Sequence, residues 1–153
     1  MAESPQAYEA YQTLHKLFTE TDFDAEELTV VWQSINVENE CHYCVPAHTG
    51  IAKMMKVSDD ISDALRNETP LPTDKLEALR TFTVQMVRER GNLSEEQMKA
   101  FFDAGYGHRA VLDVILGLAQ KTMSNYVNHV AETQVDEVFR PLAWQRSDTP
   151  LKV

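Results

Sequence analysis

Apolar residues recur along this chain at intervals of three and four, with no sustained alternation. That pattern predicts helices almost throughout. Ser4-Pro5 reads as an N-cap followed by proline at the first helical position, opening a helix striped by Tyr8, Tyr11, Leu14, His15 and Phe18. A second helix fits Asp24 to Val37, with Leu28, Val31, Trp32 and Ile35 as its apolar face. The third begins around Cys41 to Cys44 and reaches about Met55; Pro46 falls in its first turn, where proline is tolerated. Ser58 starts a short helix to Asn67, and Glu68-Thr-Pro-Leu-Pro72 breaks the chain. Thr73 caps a fifth helix that ends at Gly91. Ser94 and Gln97 form the capping box of a sixth, which reaches about Ala104. The last and longest runs from about Arg109 to Ala131. Its first half is apolar on most sides, which predicts a place at the centre of the bundle. Its second half turns polar at Ser124-Asn-Tyr-Val-Asn-His129. From about Asp136 the chain reads as an irregular arm carrying Pro141, Trp144 and Pro150, fraying at its end. The fold class expected is all-α: one helical domain over residues 1–153 with six to seven helices.

Composition narrows the function. A chain of 153 residues, 43% hydrophobic and 25% charged, has the size of one domain and buries enough surface to need no disulfide framework. A net charge of -10 without a local Lys/Arg cluster argues against nucleic acid as a partner. No apolar run approaches the ~18 residues of a membrane span. The N-terminal residues lack the basic and apolar regions of a secretory leader, so the expected location is cytoplasmic.

The chemistry concentrates in Cys41-His-Tyr-Cys44-Val-Pro-Ala-His48, which holds both cysteines of the chain. In a reducing compartment such a pair is more often catalytic or metal-binding than a structural staple. On a helix, Cys44 and His48 share one face a turn apart. An imidazole and a helix N-terminus both favour the thiolate, and a second cysteine can close a disulfide, so the pair can carry two electrons. Zinc is a rival occupant, but it needs a fourth ligand beyond Cys41, Cys44 and His48. Two buried core thiols are the bland reading. Glu38 precedes the motif and is a candidate to orient His48 or to take a proton. Asn125, Asn128 and His129 form a polar cluster on an otherwise apolar helix, which suggests that this end borders the cysteines.

The segment Asn39-Glu-Cys-His-Tyr-Cys-Val-Pro-Ala-His48 resembles the AhpD-like superfamily, the carboxymuconolactone decarboxylase and alkylhydroperoxidase group. The helix Leu28 to Val37, Ala104-Gly-Tyr106, Val111-Leu-Asp-Val-Ile-Leu-Gly117 and Ser124 to His129 look like its "peroxidase-related" branch, so the resemblance spans most of residues 4 to 144. It implies an AhpD-like helical bundle, assembled as a dimer, trimer or hexamer. It also implies reduction of a peroxide or disulfide substrate in antioxidant defence, reset by an external dithiol, with no haem, flavin or metal required. By resemblance, Cys44 attacks, Cys41 resolves and His48 belongs to the proton relay. The family's relay glutamate, twelve residues before the first cysteine, falls on Thr29, and its histidine before the second cysteine falls on Tyr43. The expected substitute is Glu38, helped by His129. Decarboxylation is disfavoured, since that branch lacks the cysteine pair. Two other functions remain: a non-enzymatic oligomer whose disulfide reports oxidant level, and a small metal-binding protein.

Overall fold

Serine, threonine or aspartate side chains open five helices by accepting first-turn N–H groups that have no partner within the helix. The structure, a computed structural model, describes residues 3–146. Ser4 caps α1 (Pro5–Thr19), Ser58 caps α4 (Asp59–Asn67) and Thr73 caps α5 (Asp74–Arg88). Capping boxes open α2 (Ala25–Glu38), from Asp24 and Glu27, and α6 (Glu95–Asp103), from Ser94 and Gln97. The remaining helices are α3 (Cys44–Met54) and α7 (His108–Val130). Among the described residues there is no strand, so the all-α architecture expected from periodicity is the one observed. No helix in this region is long and apolar enough to cross a membrane.

The centre of the bundle is α2, not α7. Every residue from Glu27 to Val37 is buried, and α2 packs against α3, α4, α5 and α7. The sequence misleads because α7 is apolar on the outside. Leu112 is 66% exposed and Ile115 43%, while the buried stripe of α7 is Val114, Gly117, Lys121, Ser124 and Asn125. Gly117 lets three helices meet closely: a Cβ there would lie 2.7 Å from the Phe18 ring and 2.9 Å from Val31. The core proper runs through Phe18, Trp32, Ile35, Leu79 and Phe82. At its far end Phe82, Phe101 and Tyr106 stack in series, with centroids 3.8 and 4.6 Å apart.

The C-terminal arm is more regular than expected, and it returns to its own subunit. A 3-10 turn over Glu137–Leu142 lies along α3. The Phe139 ring sits so close to Gly50 that a Cβ there would be 2.6 Å away. Arg66 donates to the Leu142 and Ala143 carbonyls, and Trp144 Nε1 donates to the Arg66 carbonyl at 2.8 Å. Trp144 is thereby half-buried against its own chain. The fraying expected at the end of the chain falls on residues 147–153, which lie outside the described residues.

Candidate active site

Cys41 and Cys44 are placed by a tight turn after α2. Glu40 takes a left-handed conformation, φ 52°, and the Cys41 N–H returns to the Asn36 carbonyl at 2.9 Å. A non-glycine residue there costs roughly 1–2 kcal/mol, and Arg146 from the arm helps hold it by donating to the Glu40 carboxylate. Buried amides of α2 fix the first turn of α3. Gln33 donates to the Val45 carbonyl and to Thr49, and Asn36 donates weakly to the Cys44 carbonyl. Asn125 of α7 closes the set by donating to Asn36 and accepting from Asn39.

The two sulfurs are held in opposite states. Cys44 sits at the first position of α3, where the helix dipole favours an anion. Its thiol is brought down to about 6, first by a hydrogen bond from the Cys41 thiol, against the opposing effect of burial. The charge of Lys121 and the Asn128 and Asn125 amides add to the lowering; Asn128 Nδ2 donates to Cys44 Sγ at 3.2 Å. Cys41 is pushed far up by the same sulfur–sulfur hydrogen bond and by burial. Its Sγ also accepts the Cys44 N–H at 3.3 Å. Both cysteines are free thiols and almost wholly buried. Cys41, His42, Tyr43, Asn128, His129 and Glu132 line a surface cleft of about 370 Å³ beside them.

His48 shares the α3 face of Cys44, but its hydrogen bond goes to Lys121, with Nε2 and Nζ 2.8 Å apart. Burial, then the neighbouring Lys121, pushes the imidazole well below its ordinary value, so the ring is neutral. Trp32 covers it, with centroids 5.0 Å apart. Because Nε2 faces an amine rather than the sulfurs, Cys41, Cys44 and His48 do not converge as a zinc set. No cluster of three or more metal-ligating side chains occurs among the described residues.

Glu38, the expected relay carboxylate, is engaged by two arginines. Arg88 grips its carboxylate through two hydrogen bonds, at 2.7 and 2.8 Å, and Arg146 adds a third at 3.4 Å. A carboxylate so engaged ties the arm and α5 to the end of α2. His129 stands exposed on the cleft wall. Thr29 is buried, with its hydroxyl spent on the Ala25 carbonyl at 2.8 Å. Tyr43 donates to Asp136 at 2.8 Å, anchoring the start of the arm.

Sequence reasoning missed Lys121 altogether. The signal was present in phase: Lys121 lies four residues after Gly117 and four before Asn125, on the inward stripe of α7.

No family model matches the chain, and no curated protein matches it. Solved structures do. An uncharacterized peroxidase-related protein from Ralstonia eutropha, described as an alkylhydroperoxidase AhpD core, is similar over 90% of this chain and 75% of its own, with a TM-score of 0.81 and 18% identity. Another uncharacterized peroxidase-related protein, from a Silicibacter species, matches 86% of this chain and 71% of its own at TM-score 0.75 and 16% identity. A protein of unknown function from Agrobacterium tumefaciens, suggested to be the antioxidant defence protein AhpD, matches over 88% and 94% at TM-score 0.79 and 13% identity. The fold of this chain is the AhpD-like helical bundle.

Proposed function

We propose that this protein is a thiol-dependent oxidoreductase of the alkylhydroperoxidase kind, reducing a peroxide through Cys44 and Cys41. The observation that carries the reading is the asymmetry of the pair: a Cys44 thiolate near neutral pH, at a helix N-terminus, hydrogen-bonded by a protonated Cys41. A thiolate attacks the peroxide O–O bond, giving a sulfenic acid on Cys44 and an alcohol. Cys41 then condenses with it, expelling water and forming the disulfide. An external dithiol restores both thiols by exchange. A disulfide substrate would enter by the same thiolate attack. His48 stands next to this chemistry as a neutral proton carrier, and His129 on the cleft wall as a contact for substrate. The cytoplasm would supply the reductant.

The exposed Leu112, Ile115, Tyr126 and Val130 of α7 supply an apolar face for the dimer, trimer or hexamer that the resemblance implies.

Mild peroxide is expected to remove two titratable thiols per chain, and dithiothreitol to restore both. Retention of both thiols under excess peroxide would sink the redox reading, whereas disulfide formation with slow turnover and a large change in assembly on oxidation would favour the sensor reading.

A further inference from the structure

Among the described residues Lys121 is a buried amine with no carboxylate partner. It is 1% exposed, its hydrogen bond goes to the neutral His48, and Cys44 first, then Cys41, favours its charge. The other groups of the site are His15 and Tyr11 of α1, Trp32 against His48, and the Asn125 and Asn128 amides at Cys44. Burial first, then the charge of Lys121, lowers His15; burial raises Tyr11, against a hydrogen bond with Gln120, and Cys44 adds to the rise. Burial weakens its hold on a proton, and the cysteine pair, Cys44 foremost, opposes that loss. A buried ammonium that loses its anion is costly, and such a group sheds its proton instead. The Nδ1 atom of His48 has no partner, so within this site the imidazole's hydrogen bonding answers to Lys121 alone.

We propose that Lys121 stores the proton of the cysteine pair: an ammonium facing the Cys44 thiolate in the dithiol form, and a neutral amine once the disulfide has closed. The inference rests on the thiol–disulfide chemistry proposed above and gives the pair a proton store while the Thr29 hydroxyl and the Glu38 carboxylate are bonded elsewhere. The protons balance at each step. Cys44 thiolate attacks the peroxide, the O–O bond breaks, and the departing alkoxide takes a proton from the Lys121 ammonium, directly or through His48. The neutral amine then takes the Cys41 thiol proton. The Cys41 thiolate attacks the sulfenic sulfur, and the departing hydroxide takes that proton back from Lys121 to leave as water. The products are a disulfide, an alcohol, water and a neutral lysine. Reduction by a dithiol returns two protons, one to Cys41 and one to Lys121, with Cys44 left as thiolate.

The test needs no peroxide. The full chain is equilibrated with dithiothreitol redox buffers between pH 7 and 9, and the disulfide fraction gives the number of protons taken up per two electrons. Thiolate absorbance of the reduced protein gives how many of those protons are on sulfur. The expected result is two protons per pair with one sulfur still a thiolate, the second proton residing on Lys121. In Lys121→Met all protons taken up are accounted for by sulfur, and the Cys44 midpoint moves up by at least one pH unit. One proton per two electrons in the wild-type protein overturns the proposal while leaving the cysteine chemistry standing. So does a Cys44 midpoint that Lys121→Met leaves unmoved. A pair that never closes a disulfide overturns the functional reading and this inference together. If Lys121→Met does not fold, the wild-type proton count decides alone.

Discussion

Cys44→Ser is expected to abolish peroxide turnover, whereas Cys41→Ser is expected to stop it after a single oxidation and leave a trappable sulfenic acid on Cys44. The two thiols lie three residues apart and are almost equally buried, so position alone does not distinguish them. Their hydrogen bond does: Cys41 is the donor and Cys44 the anion. Serine at 44 removes the anion, and with it the nucleophile. Serine at 41 keeps a hydroxyl donor beside Cys44, so attack proceeds while resolution has no thiol to use. Dimedone labelling followed by peptide mass analysis reads the outcome. A sulfenic acid found on Cys41 in the Cys44→Ser protein would reverse the roles.

Alkylation of Cys44 by iodoacetamide is expected to rise with pH to a midpoint near 6 and stay level above it. A thiol whose folded pKa is depressed is ionised above that value and loses its reactivity as pH falls through it. The rate at pH 7 is a poor readout. Against an ordinary thiol of pKa ~8.5, the thiolate fraction gains ~30-fold, but intrinsic nucleophilicity falls ~10-fold or more along a Brønsted slope of ~0.4–0.5. The net gain is only ~2–3-fold. At pH 6 the same arithmetic leaves a gain of ~10-fold, so the acid limb of the profile carries the information. A raised midpoint in a Cys41→Ala background would not sink the assignment, because the hydrogen bond that is the largest cause of the shift is then gone. The same midpoint in the wild-type protein would.

How much of this was legible in the sequence follows from what each signal measures. Caps and breakers are local: Ser4, Asp24, Ser58, Thr73 and Ser94 each act within a few residues, and the helices begin where those residues stand. The cysteine pair and His48 were visible as a motif, and the polar cluster at Asn125 and Asn128 as an anomaly on its helix. Which helix lies at the centre was not legible, since apolar residues on α7 face outward while α2 buries Gln33, Ser34 and Asn36. Patterning reports which residues avoid water, and a buried polar site breaks that rule from within. Glu38 was chosen by nearness along the chain, but its partners, Arg88 and Arg146, come from 50 and 108 residues away. Lys121 was overlooked because lysine is so rarely buried that composition gives no reason to place it inside.

The chain has two tryptophans, and each rests against a histidine of the cysteine motif: Trp32 on His48 at 5.0 Å and Trp144 on His42 at 6.0 Å. Closing a disulfide between positions 41 and 44 is expected to shift His42, which lies inside the bridged loop, and the proton movement proposed for the Lys121–His48 pair would alter the field at Trp32. The protein therefore carries two native fluorophores in series with its own chemistry. Their emission should follow oxidation and reduction in real time without a label. Replacing Trp144 with phenylalanine would leave Trp32 alone to report the proton, and replacing Trp32 would leave Trp144 to report the loop.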